Sequence, residues 1–189
     1  MTGLVADLLA VVTGIDHLTA DLLVAIRDPA ITKVMNSVTG LGSATAAAVI
    51  VGLFYLAGWH EEVATSVLAL GLTGPVVLTL MGLVQRPFPP TPVCVTSGEM
   101  VAHSFPSGHA AGVTVFALLA ARSPQLPFAP TAVLATLVAV SRMYLGTHYL
   151  SDTLVGIAIG ALGFVAATRW LADSRRSLVT YLQDRSNAD

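Results

Sequence analysis

The chain has 189 residues, of which 54% are hydrophobic and only 11% charged, with a mean hydropathy of +0.77. Soluble domains carry about 25% charged residues, so this composition excludes a water-soluble globule and makes the lipid bilayer the main solvent. A net charge of −2 leaves no basic footprint for nucleic acid, and the single Cys94 excludes an internal disulfide.

In residues 1–41, Asp7, Asp16, His17, Asp21, Arg27, Asp28 and Lys33 interrupt the apolar pattern every few positions, while Leu18, Leu22, Leu23 and Ile26 keep helical spacing. This predicts amphipathic helices lying at the membrane interface, with a sixth, poorly hydrophobic span near 1–26 as the alternative. No signal peptide is expected, because the N-terminal stretch carries Asp7 and lacks a basic region. A spanning helix needs roughly 20 mostly apolar residues. Five segments are expected to cross: 42–59, closed by His60, Glu61 and Glu62; 63–84, with Pro75 as a kink; a short one from Gly108 to Ala121; 128–146; and 152–172. Residues 85–107 form the one long polar loop, and four prolines between 87 and 92 predict that it is extended. A polar tail, 173–189, follows the last span.

The expected fold is an all-α integral membrane protein, a bundle of about five and at most six transmembrane helices. Residues 42–172 form the bundle, and 1–41 supply interfacial amphipathic helices. Five spans put the loops at 85–107 and 146–151 on one side and Arg122, Arg169, Arg175, Arg176 and Arg185 on the other. With Arg86 and Arg142 set aside for a site, only Arg27 and Lys33 oppose them. The positive-inside rule then places the tail in the cytoplasm and both loops outside, in a cell membrane. The sequence does not fix an oligomeric state.

Ionisable residues bordering spanning helices are costly and point to function. Arg86 ends the second span, Ser107 and His109 open the third, Arg142 closes the fourth, and His148 and Asp152 open the fifth. All lie at one membrane face. Two arginines offer planar forks that fit phosphate oxygens. Ser107 and Gly108 at a helix N-terminus add a hydroxyl, free backbone N–H groups and the helix dipole, so the ligand implied is a phosphate. His148 and Asp152 are four apart, so on a helix they would touch, and the carboxylate would fix the imidazole tautomer and leave the other nitrogen as nucleophile. His109 would donate a proton to the leaving alkoxide. Nothing in this scheme needs a metal or another cofactor.

Blander readings stand beside these. His148 and Asp152 are also explicable as a helix-start pair, and Arg86 and Arg142 as snorkelling interfacial residues. His103, His109 and His148 are an alternative metal set, although the gap across Pro106 has no familiar ligand spacing. Glu99 and His103 read as solvated loop residues, and His17 and His60 as interfacial. Gly156-x3-Gly160 and Gly108-x3-Gly112 read as close-packing notches, and Tyr149 and Trp170 as aromatic-belt residues.

The chain resembles the type 2 phosphatidic acid phosphatase (PAP2) superfamily, whose motifs are K-x6-R-P, P-S-G-H and S-R-x5-H-x3-D. Pro106-Ser107-Gly108-His109 matches the second motif completely. Ser141-Arg142, His148 and Asp152 match the third with both spacings, and Arg86-Pro87 matches the end of the first. The motifs occupy 79–152. The family lysine falls at Thr79, within TLMGLVQRP, where only a hydroxyl is offered; a lost charge-assisted contact costs about 1.5–3 kcal/mol. The resemblance implies that His148 is the nucleophile forming a phosphohistidine, that Asp152 orients it and that His109 is the general acid. It implies a phosphate cradle of Arg86, Ser107, Gly108 and Arg142, and metal-independent hydrolysis of a lipid phosphate or diphosphate presented from the bilayer. Candidate substrates are phosphatidate, phosphatidylglycerophosphate and an isoprenyl phosphate or diphosphate. The alternatives are a phosphatase or phosphotransferase for a soluble phosphomonoester, and a non-catalytic binder of phosphorylated lipids.

Overall fold

A computed structural model describes residues 2–93 and 103–186 of the chain. Every regular element among them is helical: α1 (Thr2–Ala25), α2 (Pro29–Thr39), a 3-10 turn (Gly40–Gly42), α3 (Ala44–Leu56), α4 (His60–Val84), α5 (Gly108–Arg122), α6 (Phe128–Tyr144) and α7 (Leu150–Ser186). Side chains fix several starts. Asp28 accepts from the N–H groups of Ala30 and Ile31 ahead of Pro29, Ser43 accepts from Ala46, and Ser107 accepts from Ala110. Helix α4 continues through Pro75 and stops at Gln85, which adopts a left-handed conformation (φ 48°) just before Arg86-Pro87.

Three helices, α1, α4 and α7, are long and apolar enough to cross a membrane. Residues 29–42 and 44–56 pass that test together, but the pair is bent by 59° at Ser43. The expected spans at 108–121 and 128–146 appear as apolar helices of 15 and 17 residues, about 22 and 25 Å long at 1.5 Å per residue. The last helix does not stop near 172 but continues to Ser186. Leu53, Leu56, Leu78, Leu83, Leu154 and Leu162 face outward on these helices, a surface suited to hydrocarbon and unsuited to water.

The core lies where α3, α4, α5 and α7 meet, around Phe54, Ala69, Val115, Phe116, Leu119, Phe164 and Ala167. Helix α7 approaches its neighbours at glycines. A Cβ on Gly156 would sit 2.3 Å from the Ser107 carbonyl oxygen, and one on Gly160 would sit 2.2 Å from that of Ala111. Backbone contact of this kind requires glycine. The expected matching notch on α5 is not there: a Cβ on Gly108 would make ordinary contact with Val77, and one on Gly112 would meet nothing within 4 Å. The glycines of α7 alone bring these two helices together.

Helices α1 and α2 lie across one end of the bundle. Asp16 bonds to Ser151 at the start of α7, and Arg27 bonds to the Tyr144 carbonyl at the end of α6. Eleven residues of α1 and its turn, about 16 Å of helix, therefore run between two points on the same end. Helix α2 does likewise: Asp28 N–H donates to the Tyr144 hydroxyl, and Thr39 accepts from Arg142. The two helices roof the end where the sequence places its candidate residues.

Candidate active site

Ser107, Arg142, His148 and Asp152 are buried beneath this roof, with His109 half-buried beside them. Each is placed by the end of a helix. Ser107 is the N-cap of α5, and its own N–H donates to the Asp152 carbonyl oxygen at 3.0 Å, which seats α5 on the first turn of α7. Its Oγ accepts from Ala110 and keeps its own proton available. Arg142, in the last turn of α6, donates from Nη1 to Thr39 at 3.1 Å. The Arg142 carbonyl accepts from the N–H groups of Thr147 and His148 and from the Thr147 hydroxyl, so it also sets the backbone that carries His148.

The expected contact between His148 and Asp152 is absent, because α7 begins at Leu150 and His148 belongs to the preceding loop, after a left-handed turn at Gly146. The His148 ring reaches the Ser104 carbonyl oxygen through Nδ1. A carbonyl only accepts, so Nδ1 carries the proton and Nε2 keeps its lone pair. Burial, reinforced by the charge of Arg142, pushes the imidazole pKa down to about 3, and the ring is neutral at physiological pH. Ser104 is itself held by the first motif: its N–H donates to the Arg86 carbonyl at 2.8 Å and its hydroxyl to the Pro87 carbonyl at 3.0 Å. Arg86-Pro87 thus orients His148 through backbone as well as supplying a cation.

The Asp152 carboxylate accepts from the Tyr149 N–H at 2.8 Å and from Arg86 Nη1 at 2.6 Å. Arg86 Nη1 also donates to Ser151 at 2.8 Å and Nη2 to Asp16 at 2.7 Å, while the guanidinium carbon stands 4.0 Å from the centre of the Tyr149 ring. Arg86 is the hub of a network that ties α1 to α7. Tyr149, expected in an aromatic belt, is buried against this hub.

Thr79 is not part of the cluster. It is exposed on α4 and makes no side-chain hydrogen bond to any site residue. Thr79→Lys is therefore expected to change KM by less than about twofold, the scale of a surface substitution; a clear fall in KM in a steady-state assay would show instead that a lysine here reaches the phosphate. His103 is half-buried and Glu99 lies outside the described residues. Among the described residues no three His, Cys, Asp or Glu side chains are grouped as a metal would need.

Sequence reasoning missed Asp16, Thr39, Gly42, Ser104 and Ser151. Asp16 is 1% exposed and had a signal, since an acid inside a long apolar helix is a functional candidate by default. Gly42 had none: a Cβ there would sit 2.9 Å from His109 Cδ2 and 2.7 Å from Val138 Cγ1.

The helical bundle thus joins a surface suited to lipid with a buried histidine, a buried carboxylate and two arginines gathered at one end. The match to known proteins is specific. Residues 62–176, more than half of the chain, match the PAP2 superfamily model, and the chain belongs to that superfamily. It is 28% identical over 170 residues to phosphatidylglycerophosphatase B of Bacillus subtilis, covering 81% of each chain. It is 39% identical over 87 residues to decaprenylphosphoryl-5-phosphoribose phosphatase of Mycobacterium tuberculosis, a match spanning 46% of this chain and about half, 48%, of that enzyme. Two crystal structures share the fold at 23% identity. The Bacillus subtilis transmembrane PAP2-type phosphatidylglycerolphosphate phosphatase superposes with a TM-score of 0.73 over 86% of this chain and 87% of that one, and Aquifex aeolicus LpxE with 0.68 over 79% and 92%. The chain is an integral membrane protein of this superfamily.

Proposed function

We propose that this protein is a metal-independent phosphatase that removes the terminal phosphate of a lipid phosphate or diphosphate through a phosphohistidine. The observation that carries the reading is the neutral, buried His148, held through Nδ1 so that Nε2 is the nucleophile. Nε2 attacks phosphorus, the bond to the lipid oxygen breaks, and His109 gives that oxygen a proton. Water then attacks the phosphohistidine, with His109 as base, releasing inorganic phosphate and restoring His148. Arg142 and the N–H groups of Gly108 and His109 at the start of α5 cradle the phosphate. Arg86 contributes charge and holds Asp152; Asp152 supports the loop carrying His148 through the Tyr149 N–H rather than by touching the ring.

Five spans, α3 to α7, fit this reading best, with α1 and α2 lying at the interface over the site; two contacts about 16 Å apart along α1 meet the same bundle end. The arginine distribution favours an active site on the outer face of a cell membrane. The substrate classes favoured, by likeness to the relatives named above, are phosphatidylglycerophosphate and a phosphorylated sugar carried on a polyprenyl phosphate.

The test is phosphate release from lipid phosphates by purified protein with chelator present, coupled to quenching in alkali to trap an acid-labile phosphoenzyme. Turnover that survives chelation and a trapped label are expected. Loss of turnover on chelation would favour metal chemistry, and turnover without label would remove the covalent intermediate.

A further inference from the structure

Asp16 carries a charge that its task as an anchor does not require. Its Oδ1 accepts from the Ser151 N–H at 2.9 Å, a contact that any neutral amide or hydroxyl oxygen can make. Its Oδ2 accepts from the Ser151 hydroxyl at 2.5 Å and from Arg86 Nη2 at 2.7 Å. The residue is 1% exposed, and a carboxylate buried to that degree is costly unless a cation is paired with it. Yet the cation it meets already has an anion of its own: Arg86 Nη1 donates to Asp152 at 2.6 Å.

Asp16, Arg86 and Asp152 therefore hold one positive charge against two negative ones. Arg142 brings the cluster to neutrality, because the His148 ring is uncharged. No lysine joins them: Lys33, the only one in the chain, is exposed on α2. Arg27, the other cation of the roof, donates to the carbonyls of Tyr144 and Thr91 at 3.0 and 2.7 Å. This charge balance acts close to the reacting centre. Ser104 alone stands between Arg86 and the His148 ring, its N–H on the Arg86 carbonyl and its own carbonyl on Nδ1.

We infer that Asp16 is a specificity-determining residue: it cancels the charge of Arg86, so that the site selects a singly charged phosphate group over a doubly charged one. The inference rests on the phosphatase reading for the place of the phosphate. A fixed charge acts on each charge of a ligand in turn, so a dianion loses twice the free energy that a monoanion loses beside the same carboxylate. Such repulsion sets preference as much as attraction does. The favoured substrate is a phosphate monoester that still holds one proton, a form abundant near the second phosphate pKa of about 6.

The probes are α,α-difluorobutylsulfonate and α,α-difluorobutylphosphonate, which share a chain and a tetrahedral head but carry one and two charges at neutral pH. Their binding to the purified full chain is measured alongside phosphate release from butyl phosphate. Wild type is expected to hold the sulfonate about threefold or more tightly than the phosphonate. Asp16→Asn is expected to tighten the phosphonate about tenfold and the sulfonate about threefold, as a twofold difference in charge requires. Asp21→Asn, exposed on the same helix, should change neither. A residue that only anchors α1 would weaken both ligands on substitution, and equal weakening or an unchanged ratio overturns the assignment. A wild type that prefers the phosphonate overturns it too, and that comparison needs no variant to fold. The expected binding pattern without phosphate release leaves Asp16 in its role and removes the phosphatase. Binding of neither ligand overturns both.

Discussion

Replacing His148 by alanine is expected to lower phosphate release by about 10⁴- to 10⁶-fold, the scale on which losing a nucleophile acts, while His109→Gln should cost about 10²- to 10⁴-fold, the scale of general acid–base help. The ordering matters more than either number. In the proposed mechanism only His148 forms the covalent bond, so its loss also removes the trapped phosphoenzyme, whereas loss of His109 leaves the bond able to form slowly. Equal activity of His148→Ala and wild type would overturn the assignment. The same imidazole links folding to pH. Its folded pKa, about 3, lies below the unfolded value near 6.5. The unfolded chain therefore binds the proton first, and the stability contribution is complete above about pH 6.5 and lost as pH falls towards 3. Denaturation midpoints in detergent across pH 4–8 should show this slope, and His148→Gln should flatten it.

Asp16→Asn should lower the free energy of unfolding by about 3 kcal/mol, the low end for removing one partner of a buried ion pair. Asp16 is 1% exposed and accepts from the Ser151 N–H at 2.9 Å, from the Ser151 hydroxyl at 2.5 Å and from Arg86 at 2.7 Å. An asparagine of the same shape turns one acceptor into a donor against the guanidinium. The estimate stays at the low end because Arg86 keeps Asp152 and has 22% of its side chain exposed. Asp21→Asn, exposed on the same helix, should change stability by less than about 0.5 kcal/mol. Chemical denaturation of both variants in detergent makes the comparison. Equal, small effects would mean that α1 is not anchored through this pair.

Much of the site is legible from spacing because its residues are polar interruptions at the ends of apolar runs. Ser107, Arg142, His148 and Asp152 stand out for that reason, and the structure gathers them at one bundle end. What spacing hides is backbone shape. His148 and Asp152 are four apart, yet the turn at Gly146 delays α7 until Leu150, and the histidine finds a backbone carbonyl instead. Thr79 occupies the family lysine position, but its register on α4 leaves it exposed. In the sequence Asp16 is one of several polar interruptions in residues 1–41, and only its long-range contact with Ser151 reveals a buried partner. Gly112 repeats the small-residue spacing of Gly156 and Gly160 without any backbone against it.

The roof made by α1 and α2 also bears on how the chain is born. Asp16 finds Ser151 across 135 residues, Arg27 finds Tyr144 across 117, and Arg142 finds Thr39 across 103. Helices α1 and α2 leave the ribosome more than a hundred residues before the partners that hold them. Until α7 emerges, the Asp16 carboxylate has neither Ser151 nor the Arg86–Asp152 hub complete beside it, and such loop closures over long separations come late. The candidate site is thus complete only once α7 has been made, and a chain cut short before Ser151 carries the first two motifs without assembling it.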